Sequence, residues 1–371
     1  MILALEPVMN ATLNPRQQAQ LAFVASGAEL QVGQPQDCPL PLATLVATDG
    51  SEPYVSRTLS GGLTAHVYRI EAAGRSWTLK RARERCLVQN ADGQTSFLNE
   101  VQRRADLRAL KARPELAEPL AGIVDTCYAS FRHGVLLSPW IDGKVVGDWD
   151  ETRLADLFDC VITLASAGLF EWDLCPGNVL DDGRIRLFDF GYLYRFDPLR
   201  EFNSDGLACP GFHPVERFET RQFFAWLLGQ EALGSARALA AFRLEKAIAL
   251  DRYRRWRAEL AGRGASPAVL ERLERLIDSW RTALAGSAEA LYLREAWRSH
   301  RLDLADDLDG QTCTPQTLQR LAWLRETVGA RHADLLAADA LAHERAPQRA
   351  ALLDELRRAE AQAIGWQVPR A

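Results

Sequence analysis

The chain has 371 residues, 47% hydrophobic and 25% charged, a globular balance that excludes disorder as its main state and allows two domains or one large two-part domain. Lys and Arg number 44 against 49 Asp and Glu, a net charge of −5, which disfavours nucleic acid held through its phosphates. No apolar run approaches the roughly 18 residues of a membrane span. Met1 to Asn10 carries no basic residue ahead of its short apolar stretch, so no leader is read there. Seven cysteines lie scattered without a C-x-x-C pair, and six histidines lack H-x-x-x-H spacing. That usage predicts reduced thiols in a cytoplasmic protein, with carboxylates as the source of any metal chemistry.

Residues 1–50 are weakly patterned, with prolines at Pro35–Pro41, and read as an N-terminal extension. The β-branched and aromatic runs His66–Ile70 and Ser76–Leu79, joined by Ala73-Gly74, predict a hairpin. Ser96 to Lys111 then predicts a helix with Phe97, Val101 and Ala105 on one stripe, Asp92 to Thr95 leading into it. A short strand is expected at Val135–Ser138, ending at Pro139 and followed by the Asp142-Gly143 turn. Leu154–Ala167 predicts a helix and Ile185–Phe188 a buried strand. From Gln222 onward the pattern is almost all helical, including Leu270–Leu284, Pro315–Val328 and Ala350–Ile364. A small sheet with one helix, a connector and a large helical part make the class α+β.

The chemistry concentrates in Glu171-Trp172-Asp173-Leu174-Cys175-Pro176-Gly177-Asn178-Val179-Leu180 and in Leu187-Phe188-Asp189-Phe190-Gly191. Asp173 and Asn178 share a Pro-Gly loop, and Asp189 follows a strand in a tight turn. Two carboxylates and an amide oxygen on neighbouring loops are the hard oxygen donors that Mg²⁺ takes alongside water and substrate phosphates. The spacing resembles the catalytic and metal-binding loops of the protein-kinase-like superfamily. Upstream, Ser60-Gly61-Gly62-Leu63-Thr64-Ala65-His66-Val67 resembles a glycine-rich phosphate loop, Lys80 ends a strand, and Glu100 lies on the next helix, in the family's order.

Within that superfamily, Asp-x-x-Pro-Gly-Asn-Val-Leu looks like aminoglycoside phosphotransferases and lipopolysaccharide-core kinases. Ser/Thr protein kinases carry a lysine where this chain has Cys175. Gly211-Phe212-His213-Pro214-Val215-Glu216 is a loose match to the protein-kinase Ala-Pro-Glu step. Glu171 stands where the family has histidine, a loop brace, and Trp172 replaces Gly or Arg.

The resemblance implies a bilobal protein-kinase-like fold, with a small β-rich N-lobe over 51–137 and a large mainly helical C-lobe over 138–371. It implies ATP and Mg²⁺ as cofactors. Lys80 would contact the α/β-phosphates, held by Glu100; Asn178 and Asp189 would bind the metal; Asp173 would orient the acceptor hydroxyl. Gly61 and Gly62 would cover the phosphates and Val67 the adenine. Ser138 would be the gatekeeper, Pro139 would follow it, and Ile141 N–H would reach the base. The expected activity is γ-phosphoryl transfer to a hydroxyl of a sugar or other small molecule. The alternatives are a bacterial protein kinase acting on a partner and a nucleotide-binding scaffold without transfer; nucleotide transfer is a further one.

Each residue also has a plainer role. Lys80 can be a solvated strand end, and Glu100 a surface residue, with Glu84 competing for the same lysine. Asp173, Asn178 and Asp189 can simply stabilise turns. Cys175 and His213 read as packing and loop residues. The basic stretch Arg252–Arg257 could meet an anionic membrane or phosphate surface, but a solvated helix face accounts for it as well. Trp280, Trp297 and Trp323 are expected in the core. Asp181, Asp182, Asp197, Glu201 and Asp205 could attract a cationic acceptor.

Overall fold

In the computed structural model, which describes residues 13–368, the Ala73-Gly74 pair takes positive φ at both positions, 50° and 71°. That backbone matches the twist of two paired strands, so a tight hairpin forms there. Met1 to Asn10, and with them the leader expectation, lie outside the described residues. Two compact units emerge, one from 13–144 and 180–194, the other from 145–179 and 195–368. The whole is mixed α+β, with a small antiparallel sheet and a large helical region.

The first unit holds β1 (Gln31–Val32), β2 (Val55–Leu59), β3 (Ala65–Ala72), β4 (Arg75–Ala82), β5 (Tyr128–Ser130) and β6 (Val135–Pro139). They order as β1-β5-β6-β4-β3-β2, and Lys80 faces Val67 on one side and Leu136 on the other. Because strand side chains alternate, β4 and β6 send Leu79, Val135 and Leu137 to one face and Lys80 and Leu136 to the other. The first face packs on Leu45 of α2 (Leu42–Ala47), with Tyr68, Ile70 and Tyr128. The second packs on Phe97, Leu98 and Val101 of α3 (Ala91–Lys111), with Phe23 and Val24 of α1 (Pro15–Ser26) at its rim. Short α4 (Pro114–Ala117) follows. Leu187 of the later segment bonds Gly122 O and Val124 N–H, which ties 180–194 into this unit.

The helix expected from Ser96 begins at Ala91, because Asn90 Oδ1 caps the Gly93 N–H at 2.8 Å. Gly93 looks like a helix breaker in sequence. It is required for space, since a Cβ there would sit 2.4 Å from Val88 side-chain atoms. The weakly patterned 13–50 stretch supplies α1, β1 and α2, which are elements the sequence pattern does not reveal.

The second unit begins with α5 (Glu151–Ser166), capped by Asp150. After α6 (Pro214–Phe218) the chain makes a π-helical turn at Glu219–Phe223 and continues as α7 (Phe224–Leu233). Then follow α8 (Ser235–Gly262), α9 (Pro267–Ala285), α10 (Glu289–Gly310), α11 (Pro315–Ala337) and α12 (Arg349–Gly365). Trp149, Phe158, Phe218 and Phe223 pack in edge and tilted pairs between α5 and the π-helical turn. Trp280 and Trp297 are buried, and Trp323 is partly so. The basic stretch on α8 has three of its four arginines ion-paired: Arg252 with Asp159 and Asp251, Arg255 with Asp251, and Arg257 with Glu274. It is a solvated ion-paired face around the buried Trp256. Among the described residues no helix is long and apolar enough to cross a membrane.

Candidate active site

Lys80 is buried on β4 under α3, which an ammonium tolerates only with counter-charge beside it. Its Nζ lies 3.0 and 2.9 Å from the two Glu100 oxygens and 2.7 Å from Asp189 Oδ2. Burial opposes the charge on Lys80, but Asp189 and Glu100 outweigh it and hold its pKa above the usual lysine value. Burial likewise opposes ionisation of Asp189, and Lys80 reverses this, leaving its carboxyl below the ordinary range. Asp189 keeps 32% of its side chain open to solvent, whereas Lys80 keeps 6% and Glu100 3%. The exposed side of the triad is therefore the Asp189 carboxylate.

Arg104, one turn on from Glu100, donates to Glu100 Oε1 at 2.8 Å and to the Phe188 carbonyl, and its guanidinium lies over the Phe190 ring. Asp189 Oδ1 accepts the Gly191 N–H at 3.2 Å, so the residue closes its own turn while gripping Lys80. Glu84, the competing partner, is exposed. Gly61 and Gly62 form the turn between β2 and β3. A Cβ on Gly62 would come within 2.2 Å of the Ala65 carbonyl, so only glycine lets the loop fold back this closely. Val67 sits beside Lys80 in register; Ser138 is buried opposite Thr78, Pro139 ends β6 opposite Trp77, and Ile141 follows half-buried.

In the second unit, the Asp173 backbone N–H donates to Glu171 Oε1 at 2.8 Å. A buried carboxylate thus braces this loop. Trp172 is fixed by an indole bond to Ser204 Oγ at 2.8 Å, by the Phe212 ring, and by the Arg217 guanidinium over its face. Asn178 Nδ2 donates to the Asp173 carbonyl at 2.9 Å and to Asp173 Oδ2 at 3.1 Å. With its NH₂ committed this way, the side-chain oxygen of Asn178 is turned away from Asp173. That oxygen and the half-open Asp189 carboxylate are donors of the type Mg²⁺ takes. Among the described residues no three His, Cys, Asp or Glu side chains gather to hold a metal.

Sequence reasoning missed Arg221. Its Nε donates to Asp173 Oδ1 at 2.9 Å, and its Nη1 lies 2.5 Å from Asp303 Oδ1. Arg320 holds the other Asp303 oxygen at 2.8 Å. Burial disfavours the Arg221 charge, but Asp303, Asp173 and Asp306 more than compensate and raise its pKa. The one available signal was a charged residue inside the aromatic run Phe218–Phe224; its partner lies 48 positions away.

No protein-family model matches this sequence, and no curated protein matches it either. A solved structure, the PknI kinase domain of Mycobacterium tuberculosis, is similar to it at 15% identity. That likeness covers 62% of this chain and 99% of the other, with a TM-score of 0.32. It is partial, and functional weight falls on the residues themselves.

Proposed function

We propose that the chain has a protein-kinase-like fold and is an ATP- and Mg²⁺-dependent phosphotransferase acting on a hydroxyl of a sugar or other small molecule. The observation that carries this is the buried Lys80 ammonium gripped by both Glu100 and Asp189. All three contacts of the ammonium are made to carboxylate oxygens, so a phosphate oxygen would reach it beside Asp189, the solvent-open member of the triad. Bound Mg²⁺ would neutralise charge on the transferred phosphoryl group, with Asn178 and Asp189 as its protein ligands. Asp173 would orient the acceptor hydroxyl, and Arg221 would hold Asp173 at one oxygen while Asn178 holds the other.

Incubation with γ-labelled ATP, Mg²⁺ and a panel of sugars and aminoglycosides tests it. Label in a small molecule is the expected result, and label in protein would favour a protein kinase instead. A second reading, nucleotide binding without transfer, is favoured by the engagement of both Asp173 oxygens by Arg221 and Asn178. Mg²⁺-dependent ATP binding without phosphate loss would support it. In the transferring enzyme, Arg221→Gln is expected to lower kcat by roughly a hundredfold with the ATP KM unchanged, as for loss of one oriented charge contact in a site. Full turnover in that variant would remove Arg221 from the site.

A further inference from the structure

Asn99, the residue before Glu100, is 1% exposed. Its Nδ2 donates to the Gly191 carbonyl at 2.9 Å and the Leu193 carbonyl at 2.8 Å, with the Phe190 carbonyl at 3.4 Å. These are the backbone groups immediately after Asp189. An amide makes such bonds only with its nitrogen toward the loop, which turns its oxygen the other way. That oxygen accepts from Gln20 Nε2 at 3.2 Å, and Gln20 Oε1 accepts from Thr95 Oγ1 at 3.0 Å. Gln20 is itself buried, on α1.

α1 is fastened in place independently of these bonds. Asn14 and Gln17 form a reciprocal cap at its start, and Phe23 packs edge-on against Phe131. Arg16 reaches Asp92 at 2.7 Å, and its guanidinium stacks 3.7 Å from the Tyr194 ring centroid. α1 therefore touches the helix of Glu100 at Asp92, Thr95 and Asn99, and the segment after Asp189 at Tyr194.

We propose that Gln20 and Asn99 are positioning residues, through which α1 fixes the Asp189 loop against the helix that carries Glu100. Gln20 sets the orientation of the Asn99 amide, and Asn99 supports the three carbonyls behind Asp189. The distance between Asp189 and Lys80 thereby depends on a helix that touches neither. The catalytic consequence rests on the phosphotransferase reading; the structural claim does not.

The test compares the full chain with Gln20→Met, which keeps length without hydrogen bonds, and Gln20→Glu, which sets a carboxylate against Asn99 Oδ1. Hydrogen exchange is followed at the Gly191 and Leu193 amides, which close the turn onto Asp189 Oδ1 and the Phe190 carbonyl. Both variants are expected to exchange there about tenfold faster, Gln20→Glu the more so, with β6 unchanged. Equal protection at Gly191 and Leu193 overturns the inference whether or not the protein transfers phosphate. Loss of protection throughout the unit, β6 included, overturns it too, since general destabilisation would then be the cause. If Gln20→Glu fails to fold, Gln20→Met decides alone. Given a measured transferase activity, kcat is expected to fall about tenfold in step with the exchange, with the acceptor KM unchanged.

Discussion

Asp189→Ala is expected to reduce phosphoryl transfer about a thousandfold or more while the protein keeps its fold, because an electrostatic contact made to the reacting phosphate carries that scale of effect. The fold should survive because each remaining charge keeps a partner. Without Asp189, Lys80 retains Glu100 at 2.9 Å, and Glu100 retains Arg104 at 2.8 Å. Lys80→Met is expected to act similarly, for the complementary reason: Glu100 keeps Arg104, and Asp189, with a third of its side chain open to water, can be solvated. Unchanged thermal unfolding together with lost transfer, measured on the acceptor found by labelling, is the expected pair of results. Transfer retained at the full rate in Asp189→Ala would refute the metal role. Loss of fold in both variants would show that the triad serves structure first.

The residues that meet at Lys80 were legible in sequence because each sits where local pattern already restricts it. Lys80 lies near the end of a strand that continues to Ala82, Glu100 lies on an apolar-striped helix, and Asp189 precedes a glycine turn. Pattern places the elements, and the ordered motifs then restrict which residues can meet. Gln20 was not legible, because α1 buries a polar residue on its packed face and so lacks the clean apolar stripe that marks a surface helix. Arg221 and Lys246 were not legible for another reason: their partners are distant in sequence and chosen by tertiary packing. The end of α11 differs for a local cause. Arg331 leaves helical geometry at φ −129°, yet the helix resumes to Ala337, nine residues past the expected end at Val328.

The largest effect on stability is expected from Lys246→Met. Lys246 of α8 is fully buried, ion-paired to Glu219 in the π-helical turn and to Glu295 of α10 at 2.6 Å, with Glu245 at 3.7 Å. Burial disfavours its charge, yet the three carboxylates hold its pKa above the normal lysine value. The carboxylates are less well served. Burial drives Glu219 well above the usual range and Glu245 up to about 7, with Lys246 opposing both shifts. Removing the only ammonium in this cluster leaves buried carboxylates without counter-charge, a change that costs about 3–5 kcal/mol in comparable sites. Against a typical total of roughly 5–15 kcal/mol, that loss approaches unfolding. The pH dependence fixes the cause. Carboxyls whose folded pKa is raised contribute stability that is complete below their unfolded value, near 4.5, and lost as pH rises through about 7. Lys246→Met should therefore be far weaker than the parent at pH 8, and the gap should narrow at pH 5, where the orphaned carboxylates take up protons. Adding Glu245→Gln to Lys246→Met should recover part of the pH 8 loss. Urea unfolding of the three proteins at both pH values measures this. A midpoint difference that is the same at pH 5 and pH 8 would mean that packing against Phe242 and Trp280, not charge, holds this lysine in place.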